Sequence, residues 1–337
     1  MFATGGLAWR DGEAAVDLSG LGDVFAEPTL NALLALGPDG WRQAIEAARD
    51  HDGPRVQPLL RLPFEVADYV DFYSSLEHAT NLGRIFRPGQ EPLLPNWRWL
   101  PIGYHGRAGS VVVTGTDVVR PKGQLRDTGD PVYAPSRRLD IELELGFVVG
   151  VPSEPGAPVP VERFADHVFG IVLVNDWSAR DIQGWEYQPL GPFLGKSFQT
   201  SISAWVTPLA LLEDARVAAP TQEPSPLPHL AGGRDWALDV ALEVELNGEV
   251  VSHGSARGLY WTMPQQLAHA TSNGAAVRTG DLMASGTISG PAPGSEGSLI
   301  ELWNDQRFLA DGDEVVLRGR TASLELGEVR GRVLPAR

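Results

Sequence analysis

The chain has 337 residues, with 27 Lys and Arg against 43 Asp and Glu, for a formal net charge of −16. So acidic a balance excludes a nucleic-acid binder, which depends on clustered basic side chains. A hydrophobic content of 43% excludes a disordered chain, and the lack of cysteine excludes disulfides, thiolate metal sites and a cysteine nucleophile.

No run approaches the ~20 apolar residues of a membrane helix. Arg10, Asp11 and Glu13 interrupt the start before a signal-peptide core could form, so a soluble, cytoplasmic protein without membrane or nucleic-acid partners is expected. Residues 2–9 and 14–18 flank Arg10-Asp11-Gly12-Glu13 and predict a hairpin. Helical spacing follows at 29–36 and 40–49, where Trp41, Ile45 and Ala48 form one apolar face. His51-Asp52-Gly53-Pro54 breaks the pattern, placing a domain boundary near Arg61, with a small domain at 1–61 and a larger one at 62–337. Strands are then predicted at 110–113, 118–119, 140–151, 170–175 and 236–246. The last meets the hairpin signal Asn247-Gly248, with its partner strand at 249–252 and a further strand at 314–318. Beyond residue 61 only 261–273 and 163–169 read as helical. Segments 123–139, 217–234 and 289–297 read as long loops. The fold class is therefore β-rich α+β, a barrel or layered sheets.

In Asp140-Ile141-Glu142-Leu143-Glu144-Leu145, alternation puts the three carboxylates on one strand face and the three apolar groups on the other. Glu142 and Glu144 would stand roughly 7 Å apart, close enough to converge on one hard cation. A solvated face gives the same pattern, and Leu242-Glu243-Val244-Glu245-Leu246 repeats it with Asp239 ahead of it, so spacing alone does not choose. The surroundings differ. The apolar run 170–175 ends in Asp176, placed either to face a cleft or to cap a helix. Residues 71–78 bring Asp71, Tyr73, Glu77 and His78 together in sequence. Oxygen ligation by Asp71, Glu142, Glu144 and Asp176 would suit Mg²⁺, Mn²⁺ or Ca²⁺ better than zinc or copper. No phosphate loop, serine elbow or zinc-protease motif is present; Gly191-Pro192-Phe193-Leu194-Gly195-Lys196-Ser197 has the wrong glycine spacing for a phosphate loop.

Five stretches in order carry a family resemblance: residues 68–81, 100–107, 139–150, 175–183 running on to 191–197, and 259–263 with 284–290. Among them Asp68-Tyr69-Val70-Asp71-Phe72-Tyr73-Ser74-Ser75, Gly103-Tyr104-His105-Gly106-Arg107 and Asn175-Asp176-Trp177-Ser178-Ala179-Arg180-Asp181 are specific. Together they resemble the fumarylacetoacetate hydrolase (fumarylacetoacetase) family. The resemblance implies a small N-terminal barrel-like domain followed by a larger mixed β-roll catalytic domain, assembled as a homodimer. It implies hydrolysis of the carbon–carbon bond of a β-diketone acid, with Mg²⁺ and/or Ca²⁺ bound and Mn²⁺ also admitted. Asp71, Glu142, Glu144 and Asp176 match the cation ligands; Lys196 and Thr200, sharing Asp176, match a second magnesium site. His78 matches the residue that activates water, oriented by Glu301. Arg180, Gln183 and Lys196 match groups that stabilise negative charge, and Tyr73, Arg87, Tyr104, Gln183, Tyr187 and Thr287 match substrate contacts.

Two other readings compete. Related enzymes with the same two-glutamate-plus-aspartate site hydrolyse acylpyruvates, or decarboxylate and isomerise hydroxy-dienedioates. A non-catalytic cation-binding β-rich protein would keep the carboxylates but be indifferent to His78.

Overall fold

The computed structural model describes residues 5–12 and 14–337. The expected hairpin forms as β1 (Ala8–Asp11) and β2 (Ala14–Asp17); residues 2–4 and Glu13 lie outside the described residues. Of the two predicted helices, the first is a single turn at Asn31–Leu34. The second, α1 (Gly37–Arg49), begins earlier than predicted, with Pro38 in its first turn, where a missing N–H costs nothing. Trp41, Ile45 and Ala48 are buried as expected. β3 (Arg55–Val56), directly after the break at 51–54, pairs with β2.

Downstream follow β4 (Tyr69–Phe72), α2 (Leu76–Phe86), β5 (Gly103–His105), β6 (Val111–Val113), β7 (Leu143–Val149), β8 (Val168–Asp176), α3 (Arg180–Glu186) and β9 (Thr200–Ile202). Then come β10 (Ala241–Leu246), β11 (Glu249–Ser255), α4 (Met263–Thr271), β12 (Leu282–Ala284), α5 (Leu299–Leu302), β13 (Glu314–Arg320) and β14 (Glu325–Leu334). Helices α2 and α3 correct the expectation that strands fill this region. The α2 sequence includes His, Thr, Asn and Gly, weak helix formers. What starts α2 is a cap, the Ser75 hydroxyl accepting from the His78 N–H at 3.2 Å. The segment expected as a loop at 123–139 holds a hairpin, Lys122–Leu125 with Val132–Pro135. The predicted strand 140–151 is broken: Leu139–Asp140 pairs with Ser178–Ala179, and β7 starts at Leu143.

The main sheet runs β5-β4-β12-β7-β8-β9-β6, with Thr207–Pro208 also beside β8. A second sheet runs β11-β10-β13-β14 and ends on Val118–Val119. Strand alternation gives the main sheet two buried faces. Leu143, Leu145, Phe147, Ile171 and Leu173 pack with Leu242, Val244, Val315 and Leu317 of the second sheet. Val148, Val172, Val174, Ile202 and Leu282 pack with Leu34, Trp41 and Ile45 of the N-terminal segment. Burial on both sides explains why β8 reads as one apolar run. The same two-residue period puts Glu144 on the face of Val148, and Asp176 on that of Val172 and Val174. The polar site is thus a continuation of the face that carries α1.

Leu173 is fully buried, against Gly319 of the second sheet. Leu173→Ala is expected to lower stability by about 2–5 kcal/mol, read as a fall in the urea midpoint with an unchanged slope.

Candidate active site

Pairing in the sheet gathers the acidic residues. Asp71 on β4 lies opposite Tyr104 on β5 and beside Ala284 on β12. Ala284 pairs with Gly146 of β7, and Asp176 at the end of β8 pairs with Thr200 of β9. Glu142 directly precedes β7, and its carbonyl accepts from the Asp176 N–H at 3.2 Å. Asp71, Glu142, Glu144 and Asp176 each offer an oxygen within 4.8 Å of the others, all buried.

Their partners are graded across the cluster. Lys196 Nζ donates to Glu142 Oε2 and to Asp176 Oδ2, the latter at 2.8 Å. Tyr104 donates to Asp176 Oδ2 at 2.6 Å and Thr200 to Asp176 Oδ1 at 2.8 Å. Arg180 Nη1 donates to Glu142 Oε1 at 2.7 Å. Asp71 and Glu144 have far less: each accepts from the Gly286 N–H at 3.1 Å, and Glu144 Oε1 is buried with no partner at all. Burial followed by the neighbouring carboxylates pushes both carboxyls well above their ordinary range, with Asp176 the leading neighbour for Asp71 and Asp71 for Glu144. Burial opposes ionisation of Glu142 too, but Lys196 and Arg180 outweigh it and hold that carboxyl far below its usual range.

An all-oxygen donor set with an orphaned buried oxygen fits a hard divalent cation. Glu243 and Glu245, which share the alternating pattern, are partly exposed and paired by Arg318 at 3.4 and 2.6 Å. Asp140, expected to face the same way as Glu142 and Glu144, does not join them. It accepts from Arg180 Nε at 2.8 Å and from the N–H groups of Ile141, Leu299 and Ile300. It anchors Arg180, whose guanidinium also reaches Glu142.

His78, on the first turn of α2, lies beside the cluster. Its Nδ1 is 2.6 Å from Glu301 Oε2, and its Nε2 is 3.9 Å from Glu142 Oε1. Glu301 also accepts from Ser289 Oγ (2.9 Å), Ser298 Oγ (2.6 Å) and Asn81 Nδ2 (3.0 Å). Burial opposes its ionisation, but His78, Ser298 and Asn81 hold the carboxyl below its usual range. An ionised Glu301 can only accept, so Nδ1 carries a proton and Nε2 is the ring nitrogen turned towards the cluster. Tyr73 packs edge-on to the imidazole, ring centres 5.3 Å apart.

The remaining predicted residues divide. Arg180 Nη1 also donates to Gln183 Oε1 at 3.3 Å, while Arg180 Nη2 is buried without a partner. Thr287 Oγ1 and Arg87 Nε are likewise buried and unpartnered, although Arg87 Nη2 donates to the Pro92 carbonyl at 2.5 Å. Tyr187 stands apart: it is exposed, and its hydroxyl accepts from Gln188. Sequence reasoning missed Asn81, Ser289 and Ser298 around Glu301, and the Gly286 N–H. Only Ser298, three residues ahead of Glu301, left a spacing signal, that of a helix N-terminus.

Residues 69–334 match the family described as fumarylacetoacetate (FAA) hydrolase C-terminal. The chain is 44% identical to the fumarylacetoacetase of Bos taurus, over 95% of this chain and 86% of that protein. It is 45% identical to the fumarylacetoacetase of Caenorhabditis elegans (93% and 85%) and 43% identical to that of Arabidopsis thaliana (93% and 84%). Among solved structures, the fumarylacetoacetate hydrolase of Exiguobacterium antarcticum superposes with a TM-score of 0.63 at 19% identity, covering 98% of this chain and 95% of that one. Maleylpyruvate hydrolase of Sphingobium sp. SYK-6, in complex with manganese(II) and pyruvate, gives 0.61 at 19% identity, covering 100% and 98%. Those two likenesses establish a shared β-rich α/β fold, and the sequence matches establish that the chain belongs to the fumarylacetoacetase family.

Proposed function

We propose that the chain hydrolyses the carbon–carbon bond of 4-fumarylacetoacetate, a β-diketo diacid, to fumarate and acetoacetate, with a divalent cation held by Asp71, Glu142, Glu144 and Asp176. The observation that carries this reading is the imidazole of His78, oriented by Glu301, with its Nε2 3.9 Å from Glu142 of the acidic cluster. A cation there supplies Lewis-acid polarisation of a chelated diketone. Mg²⁺ and Ca²⁺ suit the oxygen donors, and the manganese in the maleylpyruvate hydrolase structure supports Mn²⁺ as a third choice.

The chain's own groups do the rest. His78 Nε2 takes a proton from water, and Glu301 stabilises the imidazolium that forms. The unpartnered Arg180 Nη2 and the Lys196 ammonium are fixed donors for the oxyanion that develops, with Gln183 steadying Arg180. Tyr73, Arg87, Tyr104 and Thr287 would contact substrate; the open donors on Arg87 and Thr287 support this. Tyr187 and Gln183 complete the set in this reading. Lys196 and Thr200, converging on Asp176, are assigned to a second, structural magnesium site. Segment 1–61 is taken as a small domain packed on a catalytic domain at 62–337. A cytoplasmic homodimer completes the reading, supported by family membership and by the exposed Leu190 and Phe193.

Three measurements test this. A panel of 4-fumarylacetoacetate, acylpyruvates and oxaloacetate should show preference for the first; preference for an acylpyruvate would overturn the substrate. His78→Ala should fold normally yet lose roughly 10²–10⁴ in kcat, and Glu301→Gln should lose at least about a hundredfold through the wrong imidazole tautomer. Unchanged rates in both would remove the general-base role. The double substitution Glu142→Ala with Glu144→Ala should abolish Mn²⁺ binding in calorimetry as well as activity. Glu243→Ala with Glu245→Ala should leave both intact, because that pair forms only surface ion pairs.

A further inference from the structure

Tyr69 precedes Asp71 by two residues on β4, so the two side chains share a sheet face. The chain passes directly over its ring at Gly106. The Gly106 N–H donates to the Tyr69 carbonyl at 2.9 Å, and a Cβ at Gly106 would lie 2.1 Å from the ring. The ring is therefore held in one place. Its hydroxyl is buried, on a residue only 1% exposed, and lies near Thr200, whose own hydroxyl donates to Asp176, without a partner at hydrogen-bonding geometry among the described residues. Tyr69 lines a cavity of about 370 Å³ together with Tyr104, Asp176, Lys196 and Thr200.

The polar groups of that wall are already engaged with one another. Asp176 Oδ2 accepts from both Tyr104 and Lys196, and Asp176 Oδ1 accepts from Thr200. Tyr69 is the phenol left over. A buried O–H without an acceptor is unfavourable; with Asp176, Asp71 and Glu144 close enough to act on this hydroxyl, an oxygen atom held beside the acidic cluster would satisfy it. We propose that Tyr69 is a positioning residue of the cation site: its hydroxyl donates to an oxygen ligand, water in the resting protein and substrate oxygen in turnover, held beside the cation that Asp71, Glu142, Glu144 and Asp176 bind. The inference rests on the cation reading above but not on the identity of the substrate. Outer groups that orient ligands in this way are commonly worth ten- to a hundredfold in metal affinity.

The test is Tyr69→Phe, which keeps the ring and removes only the oxygen. Mn²⁺ is titrated into wild type and variant without substrate, well below their melting temperatures. Affinity is read by calorimetry, and the exchanging water on bound Mn²⁺ by water-proton relaxation. The expected result is a dissociation constant raised about tenfold, with altered relaxation enhancement per bound ion. In turnover, KM for 4-fumarylacetoacetate should rise more than kcat falls. Equal Mn²⁺ affinity and equal relaxation in the two proteins would overturn the proposal, and so would a wild type that binds no Mn²⁺. If wild type binds Mn²⁺ and Tyr69→Phe weakens it, yet neither cleaves 4-fumarylacetoacetate, the substrate reading fails and the role of Tyr69 stands.

Discussion

Four buried carboxylates within 4.8 Å of one another are the constraint around which the rest of the molecule is arranged. Like charges in a medium of low dielectric repel strongly, and each must also give up its hydration. Lys196 and Arg180 relieve one side of the cluster, at Glu142 and Asp176. The other side, Asp71 and Glu144, has a shared backbone N–H and an open oxygen. The asymmetry separates two tasks. The Lys196 side is permanently neutralised and holds its geometry without help. The Asp71–Glu144 side keeps an unmet demand for positive charge, which is what a binding site for a dication requires.

The imidazole depends on a second buried network. Glu301 accepts from four side chains, and three of them converge on one oxygen. A carboxylate so well supplied with donors stays ionised despite its burial and fixes the tautomer of His78. The pairing joins residues 223 positions apart, so α2 and α5 must dock before the imidazole is oriented. Ser75 contributes at both ends: its hydroxyl caps α2 and donates to the Ser289 carbonyl at 3.1 Å, while Ser289 in turn donates to Glu301. The cap that starts the helix is thereby tied to the segment that orients its histidine.

Much of this was legible in the sequence where physics acts locally. Alternation of Glu142 and Glu144 with Leu143 and Leu145 gave the face, and the apolar run ending in Asp176 gave the edge. The choice between that strand and Leu242–Leu246 could not come from spacing. It turns on whether the second face of the strand is covered, and the main sheet is covered on both sides whereas the glutamates of β10 are partly exposed and met by Arg318 and His253. Asp140 and Glu142 meet the same Arg180 guanidinium, and the break in the strand between them is a tertiary effect that alternation alone cannot show. Helix α2 was missed because its residues are poor helix formers held by a cap and by packing. The partners of Glu301 and the orphaned hydroxyl of Tyr69 depend on distant segments, and no local pattern encodes them.

Gly286 shows how far the site reaches beyond its charged residues. It follows β12, whose parallel pairing with β4 brings Ala284 beside Asp71. At φ +76° it occupies a conformation that side chains disfavour, and a Cβ there would lie 2.1 Å from the Phe72 carbonyl oxygen. Its single N–H reaches two carboxylates, the two that lack a cationic partner. A side chain at this position would push β12 away from β4 and separate Asp71 from Glu144 without altering either residue. The cage is therefore specified by backbone pairing as much as by its acids. The stretch around Gly286 belongs to the site for the same reason that the carboxylates do: it determines how closely negative charge can be brought together.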